Sequence, residues 1–182
     1  MNISLICTIA TTIVNVIVSI VGFLITYKSM RKNFENELRK QKSNIALEKM
    51  SVIPYEVINL MSEMISSGKN KQPFDDVTAH FNNIMNTIYS YGSAEAIKIA
   101  SLMQSENYLC NQTDNKLNEY RAISFYVILA SQIKYDVTGI AVSSGFWFQM
   151  RITDYTANKE NIKIENNKIV NELNLNENFK IN

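Results

Sequence analysis

The hydrophobic pattern of the chain begins with an uncharged apolar run over residues 3–27. At a rise of about 1.5 Å per residue, a helix of this length crosses a hydrocarbon layer of about 30 Å. No basic residue precedes the run and no small-residue cleavage motif follows it, so a cleaved signal peptide is not expected. We therefore predict a transmembrane anchor over residues 1–27.

Small and polar residues within this run lie along one line of the predicted helix. They are spaced alternately four and three residues apart, as in a pair of left-handed supercoiled helices, and they are Thr8, Thr12, Asn15, Ser19, Gly22 and Thr26. Such residues let membrane helices approach closely and form hydrogen bonds to one another. The pattern predicts a homo-oligomer formed through the transmembrane helix. The alternative is that the hydroxyls bond to carbonyls of their own helix.

Residues 28–50 are expected to continue the membrane helix as a basic juxtamembrane stalk. This segment contains seven basic and three acidic residues, and neither glycine nor proline. Lys28, Arg31 and Lys32 follow the apolar run, and the positive-inside rule places such a cluster on the cytoplasmic side. The pattern predicts a single-pass protein of the cell membrane with its N-terminus outside. These cations would also suit anionic lipid head groups.

Beyond residue 50, apolar residues recur at helical spacing, whereas the alternation typical of strands is rare. Ser93 suits the N-cap of the helix predicted over residues 94–109, because a serine hydroxyl at that position accepts a hydrogen bond from a free backbone N–H. Glycine, proline and polar clusters separate four predicted helices, over residues 54–67, 74–90, 94–109 and 115–136.

Two further helices are predicted after residue 140. The segment 143–145 suits the start of a short helix, and a final amphipathic helix ends near Leu173. Residues 174–182 are expected to form a flexible tail. The predicted fold class is therefore all-α: one N-terminal transmembrane helix continuing into a stalk, then a cytoplasmic bundle of five or six helices over residues 51–173.

Charge and cysteine content limit the classes of partner. Residues 51–182 contain eleven basic and fourteen acidic residues. Phosphate binding needs clustered positive charge, so no nucleic-acid partner is expected. Cys7 lies inside the apolar run, which leaves Cys110 as the one thiol of the predicted domain. A single free thiol fits a reducing cytoplasm.

The sequence contains no recognisable catalytic motif. It has no P-loop, dinucleotide-binding glycine pattern or nucleophile elbow. Its single histidine, His80, has no cysteine or carboxylate partner at the spacing of a zinc site. We therefore predict a protein without catalytic residues, metal ligands or cofactors, and an enzyme assembled from scattered residues, such as a ribonuclease or protease, is the third alternative.

The densest aromatic group, Phe146-Trp147-Phe148, contains the only tryptophan. Three adjacent helical positions cannot all face the core, so at least one ring is expected outside it. Three interpretations stay open: core packing, a membrane-interface or partner surface, and a ligand pocket. Because arginine suits phosphate and carboxylate recognition, the candidate ligand or partner site comprises Arg121, Trp147 and Arg151.

Two segments carry a family resemblance: Tyr91-Gly92-Ser93-Ala94-Glu95-Ala96-Ile97-Lys98, and Gln132-Ile133-Lys134-Tyr135-Asp136-Val137-Thr138-Gly139 with the aromatic group that follows. Across residues 85–173 the chain resembles uncharacterised small membrane-anchored helical proteins of low-GC Gram-positive bacteria and their phages. The resemblance implies a setting in phage–host conflict, including phage defence. It supplies no catalytic residue.

The sequence thus favours a membrane-anchored, non-enzymatic binding or regulatory module at the inner face of the membrane. A cytoplasmic protein partner is expected to dock on an exposed apolar face of the domain. The alternative is a ligand-sensing membrane effector, whose transmembrane helices oligomerise and perturb the bilayer.

Overall fold

The computed structural model describes residues 3–67, 74–113 and 118–182. All regular secondary structure in these ranges is helical, which confirms the all-α prediction. The α-helices are α1 (Ile3–Ser51), α2 (Ile53–Ser67), α3 (Phe74–Tyr91), α4 (Ala94–Thr113), α5 (Glu119–Thr138), α6 (Ser144–Arg151) and α7 (Tyr155–Glu172), and a 3-10 turn follows at Glu177–Phe179. The chain forms two compact units, an N-terminal unit (Met1–Ile45) and a C-terminal unit (Ala46–Asn182).

In the N-terminal unit, α1 presents apolar side chains without cover. Phe23 is 69% exposed and Ile25 is 65% exposed. Among the described residues, one helix is long and apolar enough to cross a membrane, and it is the one that contains this stretch. The apolar character of the described side chains over residues 11–27 is therefore not explained by packing within the described chain.

The C-terminal unit is built around α5, which packs against α2, α4, α6 and α7. The seven consecutive residues 124–130 are all buried. A helix covered on every side must be surrounded by other helices, so α5 is the central element of the bundle. Asn118 caps its start by accepting a hydrogen bond from the backbone N–H of Tyr120 at 2.9 Å. Gly139, in the left-handed conformation with φ +72°, ends it.

The start of α4 is tied to the end of α5. The Ser93 hydroxyl accepts from the backbone N–H of Ala96 at 3.1 Å, which confirms the predicted N-cap. The same hydroxyl donates to Oδ2 of Asp136 at 2.6 Å, and Gln132 donates to Oδ1 at 2.8 Å. Burial raises the pKa of the Asp136 carboxyl, although both hydrogen bonds oppose the shift. These bonds fix the 91–93 turn against the central helix.

The prediction of a flexible tail at residues 174–182 is wrong. Leu175, Phe179 and Ile181 are buried, and Phe179 is fully inaccessible. The Asn167 carboxamide bonds to both backbone groups of Ile181, as a neighbouring β-strand would. Its Nδ2 donates to the Ile181 carbonyl at 3.0 Å, and its Oδ1 accepts from the Ile181 N–H at 2.8 Å. The polar residues that separate these three apolar residues give the segment the composition of a solvent-exposed terminus.

Asn167→Ala is expected to lower the free energy of unfolding by about 1–3 kcal/mol, because it leaves the backbone groups of Ile181 without their partners. The measurement is chemical denaturation of the full-length protein in mild detergent, with amide hydrogen exchange at Ile181 as a local reporter. Asn171→Ala is the matched control on the same helix, since its exposed side chain has no hydrogen bond to any described residue. Equal effects of the two substitutions would contradict the assigned role of Asn167.

Candidate functional site

An apolar groove in the C-terminal unit lies between the start of α2, the middle of α5, and α6 with the loop before it. Its volume of about 440 Å³ falls within the range of roughly 300–1,000 Å³ typical of small-molecule sites. Its lining residues are Pro54, Tyr55, Ile58, Val127, Ala130, Ser131, Lys134, Val142, Ser143, Phe146, Trp147 and Met150.

The wall formed by α6 is positioned by the cap at its start. The Ser143 hydroxyl accepts from the Gly145 N–H at 3.2 Å and donates to the Lys180 carbonyl at 2.6 Å. This cap confirms the predicted start of the short helix. It also joins the groove wall to the packed C-terminal segment.

The three aromatic rings of α6 differ in burial. Phe148 is fully buried and stacks on Tyr155, with ring centroids 6.2 Å apart. Trp147 meets the Phe148 ring edge-on at 5.6 Å and is half-buried. Phe146 is 60% exposed. The expectation that the three rings cannot all face the core is therefore confirmed, and the groove is lined by the two outer rings.

The groove is lined mainly by apolar side chains. Tyr55 is 72% exposed and Met150 is 75% exposed, so its walls include large apolar side chains open to solvent. The hydroxyl-bearing residues are Tyr55, Ser131 and Ser143, and the charged residue is Lys134. No carboxylate, imidazole or thiol for acid–base or nucleophilic chemistry is present among the described lining residues.

Arg121, one of the predicted site residues, lies in a separate ion-pair cluster. Its guanidinium pairs with Glu106, with Nε 2.7 Å from Oε2, and with Glu172, with Nη2 2.9 Å from Oε2. Nη1 lies 3.8 Å from Oε2 of Glu165, and the guanidinium carbon sits 5.1 Å from the centre of the Phe125 ring. The hydrogen bonds to Glu106 raise the pKa of Arg121, outweighing the effect of its burial.

The structure does not gather the three residues of the predicted ligand site into the groove. Trp147 lines the groove, whereas Arg121 and Arg151 do not. Arg151 is exposed at the end of α6. The charge of Arg121 is already compensated by Glu106, Glu165 and Glu172. Lys134, a lining residue, was not predicted from the sequence. Its position two turns after Val127 on the predicted helix 115–136 does indicate that the two residues share a helix face.

The predicted helix–helix line in α1 contains hydroxyls bonded within their own helix. Ser19 donates to the Asn15 carbonyl and Thr26 to the Gly22 carbonyl, each at 2.8 Å. The Asn15 carboxamide is exposed and has no hydrogen bond to any described residue. Thr12 is exposed, while the side chain of Thr8 lies outside the described part.

The predicted head-group residues are exposed on α1. Arg31 pairs with Glu35 through an Nε–Oε1 distance of 3.1 Å. Lys28 and Lys32 make no ion pair with a described residue. Elsewhere, Nδ1 of His80 lies 3.1 Å from Oε2 of Glu63, linking α3 to α2. Over residues 3–67, 74–113 and 118–182, no cluster of three or more histidine, cysteine or acidic residues is placed to hold a metal ion.

Comparison of the chain with protein-family models, with curated proteins and with solved structures gave no match. The resemblance to small membrane-anchored helical proteins, and the role in phage–host conflict drawn from it, therefore stay predictions.

Proposed function

We propose that this protein is a membrane-anchored, non-enzymatic binding module, and that its groove takes up an apolar small molecule at the cytoplasmic face of the membrane. The observation that carries the proposal is the groove itself. It combines a volume of about 440 Å³ with a mainly apolar lining, and the described lining residues include no carboxylate, imidazole or thiol. Ligand sites typically combine such a lining with a few polar groups that fix orientation.

The anchor in this proposal is the apolar stretch of α1. Its side chains are exposed, as Phe23 and Ile25 illustrate, and burying them in lipid would remove a large apolar area from water. The proposed orientation follows from the cations Lys28, Arg31 and Lys32, which favour the cytoplasmic side. The C-terminal unit, and with it the groove, then belongs to the cytoplasm.

The test of groove binding uses Trp147, the only tryptophan of the chain and a lining residue. The full-length protein in lipid nanodiscs is titrated with a brominated long-chain alcohol, whose bromine atoms quench nearby indole fluorescence. Binding in the groove predicts quenching that saturates. Quenching that rises linearly, as simple partitioning into the bilayer would give, contradicts the proposal.

Two matched variants make this test specific. Val142 lines the groove and Ile140 does not, although both belong to the loop between α5 and α6. Val142→Phe narrows the groove and is expected to weaken binding at least fivefold. Ile140→Phe adds the same ring at a position that is already 59% exposed, and should leave binding unchanged.

A second candidate function, an oligomerising membrane effector, is favoured by Asn15. Its carboxamide has no partner among the described residues, and an unpaired amide in hydrocarbon costs free energy that a second copy of α1 would recover. In that case the groove would be the sensing site, and a ligand would bias the association of the membrane helices.

Asn15→Leu is expected to weaken self-association in membranes by about threefold, since measured interhelical polar contacts average about 0.6 kcal/mol. Energy transfer between labelled copies in liposomes measures the effect. Ser19→Ala is the control on the same line, because the Ser19 hydroxyl already bonds to the Asn15 carbonyl of its own helix. An unchanged energy-transfer curve for Asn15→Leu would contradict a role in association.

A further inference from the structure

The charge distribution of the groove is one-sided. Among the described residues of its lining, Lys134 is the charged one and none is acidic. Among the described residues Lys134 is exposed and makes no ion pair. Arg121, by contrast, is paired with Glu106 and Glu172, and Lys180 is paired with Glu177. The groove therefore presents one uncompensated positive charge beside an apolar surface.

The position of Lys134 gives the groove a polar end and an apolar end. Val127 and Lys134 both lie on α5, two helical turns and about 10 Å apart. Val127 is 1% exposed, whereas Lys134 is exposed. Ala130, between them, is almost fully buried. A ligand lying along α5 thus meets apolar carbon at one end and an ammonium group at the other.

Ser131 supplies a second donor near the polar end. It precedes Lys134 by three residues, so the two side chains are neighbours on the helix surface. Its hydroxyl has no hydrogen bond to any described residue, unlike that of Ser143, which is engaged by the Lys180 carbonyl. A hydroxyl and an ammonium group together suit a carboxylate, which accepts several hydrogen bonds.

We propose that the groove binds a fatty acid, with its hydrocarbon chain along Val127, Ala130 and the aromatic side chains of α6, and its carboxylate at Lys134 and Ser131. This inference rests on the proposed function and names its ligand class. One anionic head group matches the one uncompensated cation of the lining. The volume of about 440 Å³ fits a small amphiphile better than a helix of a partner protein.

The test compares two ligands with the same chain and different head groups. The full-length protein in nanodiscs of neutral phosphatidylcholine is titrated with brominated octadecanoate and with brominated octadecanol at about pH 8, where the carboxylate is ionised. Trp147 quenching reports both affinities. The carboxylate is expected to bind about fivefold more tightly than the alcohol, the gain of one solvent-accessible ion pair.

Substitution of the cation separates head-group recognition from apolar binding. Lys134→Met keeps an unbranched side chain and should abolish the preference for octadecanoate, with octadecanol affinity within about twofold of the wild type. Lys134→Arg should retain the preference. Lys98→Met is the control for general charge, because Lys98 is exposed on α4, a helix that does not line the groove.

Each outcome bears on one part of the proposal. Saturable binding of both ligands with equal affinity overturns the fatty-acid assignment and leaves the apolar groove in place. A preference that persists in Lys134→Met, or that is lost equally in Lys98→Met, overturns the role of Lys134. If neither ligand quenches Trp147 saturably, the binding function itself fails, and the groove would have to serve a protein partner.

Discussion

Ile17→Lys together with Val21→Lys is expected to abolish stable membrane integration. Both residues lie near the middle of the apolar run, one helical turn apart, and are 54% and 49% exposed. A lysine at the centre of a membrane helix costs about 2.5–3.5 kcal/mol on insertion scales, so two cost roughly 5–7 kcal/mol. The measurement is the fraction of protein that stays in the membrane pellet after alkaline carbonate extraction.

The matched control places the same pair of charges outside the apolar run. Met30 and Phe34 are also one turn apart on α1 and are 66% and 65% exposed. Met30→Lys with Phe34→Lys adds to a segment that is already basic, and should leave the carbonate-resistant fraction unchanged. If the variant at positions 17 and 21 stayed carbonate-resistant, the apolar part of α1 would not be the anchor.

Arg121→Met is expected to lower the free energy of unfolding by on the order of 3 kcal/mol. Removing one partner of a buried ion pair leaves the other charge uncompensated, which typically costs about 3–5 kcal/mol. In Arg121→Met, three glutamates lose their cation. Because the side chain of Glu172 is 42% exposed and remains partly hydrated, we expect the lower end of this energy range. Denaturant unfolding of the full-length protein, followed by Trp147 fluorescence, measures the loss.

Two observations separate charge compensation from a loss of packing in this variant. Arg151→Met removes an exposed arginine of α6 and should change the free energy of unfolding by no more than about 0.5 kcal/mol. The deficit of Arg121→Met should also shrink as the salt concentration rises, because screening weakens the mutual repulsion of the clustered carboxylates. A deficit that does not change with salt concentration would instead indicate a cavity effect.

Local sequence pattern was sufficient for the class and order of the helices. The N-cap hydroxyls of Ser93 and Ser143 bond to backbone N–H groups no more than three residues away, so both caps can be predicted from the local sequence. The partners of Arg121 lie 15 to 51 residues away in sequence, and a single sequence does not show that they converge on it. From the sequence alone, Arg121 is therefore indistinguishable from an unpaired arginine that could bind an anion.

The packed C-terminal segment was missed for a related reason. Leu175, Phe179 and Ile181 are four and two residues apart, a spacing that fits neither a helix nor a strand over a useful length. Their burial depends on Asn166 and Asn167 of α7, whose carboxamides bond to the backbone at Phe179 and Ile181. For the groove, by contrast, the sequence offers one indication, the aromatic group that contains Trp147.

The most direct test of the account is the accessibility of single cysteines in intact cells. Cys7→Ser and Cys110→Ser provide a cysteine-free background, in which Asn2→Cys or Ser105→Cys, an exposed position on α4, is labelled with a membrane-impermeant maleimide. A membrane-anchored module with its groove in the cytoplasm predicts labelling at position 2 in intact cells, and at position 105 only after permeabilisation. Labelling at position 105 in intact cells, or at neither position until the cells are opened, would contradict it.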